Sequence, residues 1–480
     1  MKQQQMMAVL LAAALGMTGC STAATADTTT EKSSSTTAAA TTDTQNAEDL
    51  VDTDDMFSDR DLDGSYKENE CVQITLDDET STCEDKNVTI DGQTVTITGE
   101  GTYLISGSLS DGSLVVDVDD SEKVQLVLDG VSITNKEGAT IQVTQADKVF
   151  VTLADGSENT LSSESFSDDT DSSVDGAIVS KEDLTLNGSG SLTVTSAGHG
   201  IVSKDDLVVT GGTYEITAEK QGVSGKDSVR IADGTFTIES GKDAIHSENS
   251  EDESKGWVYL AGGTYTLTAT GDGIDSNGDL TVSGGTIYVS GPSNNGNGAL
   301  DYNGTATITG GTLVAVGMSG MAQNFGSDST QGSLMVNLTD NQSGEITLED
   351  GDGNTLLSYT PVREYNSVVI SCAELSDGST YTIHTGENSQ EVTMDGLVYT
   401  DGEAANAPGQ GGGQMPQGGP MGENNDNSDN SDDSDRPTPP QGQGNPPDMQ
   451  NGERQQGDPP QGNPGDSSNE QTKEESDGQK

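Results

Sequence analysis

Apolar and polar residues alternate strictly along the middle of this chain. The segments VTIDGQTVTITGEGTYLISG (88–107), SLVVDV (113–118), VQLVLDGVSIT (124–134) and KVFVTLADG (148–156) repeat this pattern between Gly or Asp turns. A period of two predicts strands with one buried face, and the chain shows almost no helical period. From 176 to 317 the pattern is itself repeated six times. The repeats open with AIVSK (177–181), GIVSK (200–204), GVSGK (222–226), AIHSE (244–248), GIDSN (273–277) and ALDYN (299–303). Each opening leads into a short alternation, a Gly-containing turn and a second alternation.

Aligned on Ser180, Ser203, Gly225, Ser247, Ser276 and Tyr302, the repeats are spaced by 23, 22, 22, 29 and 26 residues. The loops SENSEDESKG (247–256) and GPSNNGN (291–297) account for the two longer spacings. Three short strands in a period near 22 predict an all-β fold, a right-handed parallel β-helix. A leucine-rich repeat would need its LxxLxL signature, and a propeller blade about 40 residues. The inward ladder expected of the first strand is Ile178, Ile201, Val223, Ile245, Ile274, Leu300. That of the third strand is Leu192, Tyr214, Phe236, Tyr265, Ile287, Leu313. From Met318 the repeat fades into further strands, expected to form a C-terminal β cap.

Composition divides the rest of the chain. Residues 1–20 carry a lysine, an apolar run too short to cross a bilayer, and MTGC, the pattern of a bacterial lipoprotein signal ending at Cys20. A plain secretory signal with an incidental cysteine is the other reading. Residues 21–67, rich in Ser, Thr and Asp, are expected to be a disordered tether. The β-helix is assigned to 68–317, the cap to 318–402, and a disordered Gly/Gln/Pro/Asp-rich tail to 403–480. With 81 acidic residues against 20 basic ones the net charge is −61, which excludes nucleic acid as a partner and favours divalent cations. In an exported chain, Cys71 and Cys83 are expected to form a disulfide around the DDETST turn, leaving Cys372 buried alone. No pair of CxxC motifs suggests a zinc site.

The chemistry lies in two columns of the repeat. The third residue of each opening runs Val179, Val202, Ser224, His246, Asp275, Asp301, and the preceding column runs Gly176, His199, Gln221, Asp243, Asp272, Gly298. Stacked coils would bring these carboxylates about 5 Å apart, which is costly unless a cation or a proton intervenes. With Asn277 and Asn303 on the same edge, Asp243, Asp272, Asp275 and Asp301 make a set of hard oxygen donors that suits calcium. His246, above Asp275, is expected to orient a carboxylate. The competing reading is a row of solvated loop aspartates. DSNGD (275–279) and DGDGN (350–354) do not complete a hand-type calcium loop, and the latter reads as a hairpin turn.

A third column holds Lys181, Lys204 and Lys226. Beside calcium, such lysines suit proton abstraction from a uronate. The plainer reading pairs them with Asp183, Asp206 and Asp227. Tyr259 and Tyr288 are expected to point outward and Trp257 to flank the acidic loop. With Tyr302 they are candidate platforms for sugar rings. No Ser–His–Asp or Cys–His arrangement is readable.

The segments GDGIDSNGDLTVSGGTIYVSGPSNNGNGALDYNG (271–304), VQLVLDGVSITN (124–135) and SVVISCAELSDGSTYTI (367–383) resemble the bacterial carbohydrate-binding domain family. That resemblance, over about 70–400, implies a calcium-containing β-helix of polysaccharide-lyase-like shape that binds cellulose-like or acidic-sugar polymers. Asp272, Asp275 and Asp301 match its acidic motif. The expectation is a monomeric lipoprotein on the outer face of the cell membrane, held there by its lipid alone. It would bind plant cell-wall or acidic polysaccharide without cleaving it. A calcium-dependent pectate-type lyase and a structural or adhesive envelope protein are the alternatives.

Overall fold

The first-strand ladder stacks in register. Ile178 pairs with Ile201, then Val223, Ile245, Ile274 and Leu300 follow, each in a parallel strand and each at most 2% exposed. The computed structural model describes residues 56–167 and 175–403. Cys20, the signal at 1–20, the tether up to 55 and the tail from 404 lie outside the described residues. Within the described part the chain is nearly all β, a solenoid of about eight turns.

Three strands make each coil. First strands form one ten-stranded sheet that ends at Leu300–Tyr302. Second and third strands join one larger sheet because early coils run both in a single bent strand, as in Lys123–Asn135, which pairs with Lys148–Leu153 and Glu158–Ser163. The third-strand ladder is also as expected, from Leu192 to Leu313. Its rings stack at 5.0 Å between centroids, Tyr214 on Phe236 and Phe236 on Tyr265. The two phenols are not orphaned by burial, since each donates to the carbonyl of a turn glycine, Gly211 or Gly262. Parallel stacking of identical coils therefore makes one continuous core from residues that in sequence are only short alternations.

Corners carry their own chemistry. Ser180 and Ser203 face inward at the first corner, where each hydroxyl donates to the carbonyl of Glu182. Ser276 does the same to Asp279 and Gly256. At the second corner the last glycine of each TGG-type turn is left-handed, as at Gly212 (φ 102°), where a Cβ would meet the Tyr214 hydroxyl at 2.8 Å.

The last third strand, Thr312–Gly317, pairs antiparallel with Tyr365–Ser371, which pairs with Ser333–Gln342. A four-stranded antiparallel sheet packs beyond it around Ile346, Leu348, Tyr381 and Ile383. Phe325, Met335 and Val369 join the main core, and the 350–354 segment is the turn of a hairpin.

Two expectations fail. The segment 56–67 is not tether: Met56 and Asp61 are buried, and residues 56–63 cross the outer face of the second-strand sheet. There the helical turn Asp59–Leu62 is closed by a reciprocal Ser58–Asp61 capping box. Asp61 meets Lys148 Nζ at 2.8 Å and accepts from the Thr185 hydroxyl at 2.6 Å. Cys71 and Cys83 are both unbonded thiols. Cys71 packs outside with Tyr66 against Leu104 and Val127, whereas Cys83 packs against the interior core, so the sheet separates the two sulfurs.

Candidate metal centre and glycan-binding face

The repeat brings the acidic columns together because its coils stack without slippage. His246 pairs with Asp275 and Asp275 with Asp301 on adjacent strands. Just before these strands, Asp243 Oδ1 accepts the Asp272 N–H at 2.7 Å, and Asp272 Oδ1 accepts the Gly298 N–H at 2.5 Å. Each carboxylate thus anchors the backbone of the next coil. Gln221 Nε2 donates to Asp243 Oδ2 at 3.2 Å, and His246 Nε2 lies 3.3 Å from Asp275 Oδ2. Ligand atoms of Asp243, His246 and Asp275 all fall within 4.8 Å of one another.

Electrostatics make this cluster costly as it stands. Burial, with Asp243 and Asp301 nearby, pushes the Asp272 carboxyl up to about 8. Burial and the charges of Asp243, Asp272 and Asp301 drive Asp275 well above the carboxylate range, and burial and Asp243 raise Asp301. His246 is shifted down by its burial. A proton or a cation relieves such a set. The donors fit a hard divalent ion: carboxylate oxygens converge, and Gln221, having turned its N–H to Asp243, leaves Oε1 buried with no donor.

The other candidate residues fall elsewhere. Asn303 Nδ2 donates to Asn277 Oδ1 at 3.1 Å, so these two amides are joined to each other on the exposed side. The four aromatics do not form an exposed platform. Tyr259 points out of the coil as expected, but Phe57 stacks on it at 6.0 Å and it is 8% exposed. Tyr288 stacks on Tyr359 of the cap at 4.7 Å. Tyr302 gives its hydroxyl to the Asn324 carbonyl at 2.5 Å, and Trp257 lies half-buried beside Arg230. The physical reason is common to Tyr259 and Tyr288: an apolar ring on the outer sheet face is covered by another segment of the same chain.

The lysine column differs too. Lys204 pairs with Glu248 two coils on, while Asp206 is held by Arg230 at 2.6 Å and Asp227 by Lys255. Asp183 has Lys148 at 3.9 Å. The expected Lys–Asp pairs are therefore replaced by longer-range ones. Sequence reading missed Gln221 and the amide anchoring, although Gln221 stands in the acidic column.

The family described as "carbohydrate-binding domain-containing protein" matches residues 91–355, more than half of the chain. The chain belongs to that family. A protein of the same description from Acetivibrio thermocellus is 39% identical over 125 residues, 25% of this chain and 44% of the relative, so the match spans less than half of that protein. A solved structure described as a polysaccharide lyase-like protein from C. thermocellum, in a gadolinium derivative, is 33% identical. It covers 50% of this chain and 92% of its own, with a TM-score of 0.42. The family match takes in both acidic columns.

Proposed function

We propose that this protein binds polysaccharide, cellulose-like or acidic, without cleaving it, and that calcium held by Asp243, Asp272, Asp275 and Asp301 stabilises the face that does so. The observation that carries the reading is the stack of mutually repelling carboxylates in a member of a carbohydrate-binding family. Asn277 and Asn303 would lie at the rim of the ion's site. Calcium would neutralise the column and add a positive centre for sugar hydroxyls or carboxylates. The chain's own part is to hold the oxygens: backbone N–H groups fix Asp243 and Asp272, and strand pairing fixes Asp275 over Asp301.

Cys20 would carry the lipid that places the domain outside the cell membrane as a monomer. No helix among the described residues is long and apolar enough to cross a membrane. Fatty-acid labelling that survives Cys20→Ala would refute the anchor. The binding reading is tested by titrating a glycan panel, cellulose, polygalacturonate and pectin, with and without calcium. Retention of none refutes it, and accumulation of unsaturated uronide absorbance would make the protein a lyase instead.

A further inference from the structure

One cavity opens on the face that carries the acidic column, several coils before it. It encloses about 190 Å³ between Phe166, Gln142, Val179, Lys181, Gly138 and Ala139. Gln142 and Val179 are register partners in the outward column that continues to Asp275 and Asp301. Five inter-strand steps separate Val179 from Asp301, roughly 24 Å along one face.

The walls are built rather than incidental. Phe166 is held by a segment tied to the preceding turn: the Glu164 N–H donates to Asn135 O at 2.9 Å, the Gly138 N–H to Ser165 O at 3.0 Å, and the Ser165 hydroxyl to Lys136 O at 2.6 Å. The edge of the ring packs on Gly198, where a Cβ would come within 2.8 Å of it. Lys181 lines the same cavity, exposed and without an ion-pair partner among the described residues. Lys226 and Lys242 also have no ion pair among the described residues, but of the three Lys181 alone lines this cavity. Ring, amide and ammonium around a half-open cavity match the parts of one sugar: an apolar pyranose face, hydroxyls and a carboxylate.

We propose that this cavity is a subsite for a carboxylated sugar residue, of the uronate class, in the bound polysaccharide. Its ring lies on Phe166, its carboxylate meets the Lys181 ammonium, and Gln142 takes a hydroxyl. The inference rests on the polysaccharide-binding reading above and narrows it to an acidic polymer. Long-range repulsion by the acidic chain opposes such a ligand, so local positive charge has to select it.

The test is calorimetric titration of the full chain in calcium with pentagalacturonate and, as the neutral counterpart, cellopentaose. Lys181→Gln is expected to weaken pentagalacturonate about fivefold and to leave its melting temperature unchanged. Lys181→Arg retains binding, and Phe166→Ala weakens it by at least as much. Wild-type binding of pentagalacturonate that Lys181→Gln leaves unaltered overturns the subsite while sparing the general function. So does binding of cellopentaose alone. Binding of neither oligosaccharide, nor of any polymer in the panel, overturns both.

Discussion

Asp243 holds the backbone N–H of Asp272 on its Oδ1 at 2.7 Å, so a carboxylate of one coil fixes the chain of the next. The same contact forces the two side chains close, and the column pays in repulsion what it gains in order. Calcium is therefore expected to act on stability before it acts on binding. At a calcium concentration near 100 times the dissociation constant the gain is about 2.7 kcal/mol, read as a rise in melting temperature. The double substitution Asp275→Asn with Asp301→Asn should remove that rise, yet melt above wild type in chelator, where like charges no longer face each other. A melting curve indifferent to chelator would sink the metal centre.

The 56–63 segment depends on a buried pair. Burial alone would raise Asp61, but Lys148, Ser58 and Thr185 outweigh it and hold the carboxyl down at about 2. A depressed carboxyl contributes stability above its unfolded value near 3.8 that is lost as pH falls to about 2, about 2 kcal/mol in all. Asp61→Asn should remove this acid-dependent component from a pH series of denaturant melts. At neutral pH, Lys148→Met should cost about 3 kcal/mol by stranding the carboxylate, and the double variant should recover most of it.

Asp205 behaves in the opposite sense. Burial, the adjoining Asp227 and the charge of Asp183 raise it to about 7. A raised carboxyl stabilises the fold below its unfolded value and ceases to do so as pH climbs through the folded one. Asp205→Asn is accordingly expected to raise the melting temperature at pH 8 and to change little at pH 3, below the unfolded value. Equal effects at both would contradict the raised Asp205 carboxyl.

Covered aromatics should report on folding. Tyr259→Ala uncovers Phe57 and is expected to lower the melting temperature while leaving glycan affinity within twofold, roughly. Phe236→Ala, in the centre of the interior stack, should cost about 3–5 kcal/mol. Reductant should leave the melting temperature unchanged, since Cys71 and Cys83 are not joined.

Much of this was legible in the repeat. Ile178 through Leu300 and Leu192 through Leu313 could be aligned by eye, because a solenoid turns a sequence period into a spatial column. Asp275 over Asp301 followed from the same arithmetic. Capture of the outward rings did not, because Tyr288 is covered by Tyr359, more than seventy residues on, and Tyr259 by Phe57, some two hundred residues back. Alternation says which face a side chain takes and is silent about what lies on that face. The packed segment at 56–63 has no alternation to announce it, only the Ser58–Asp61 capping spacing inside an acidic stretch that reads as tether.

By itself, then, the sequence determined the period, the inward ladders, the acidic columns and the family, all of them properties carried by short-range pattern repeated coil after coil. Tertiary structure alone decided which outward residues remain available. Cap and N-terminal segment cover Tyr288 and Tyr259, Glu248 takes Lys204, and Lys181 stays open beside Phe166. These are contacts between segments distant in the chain, made wherever burying an apolar ring or pairing a charge lowers the free energy, and no local pattern records them.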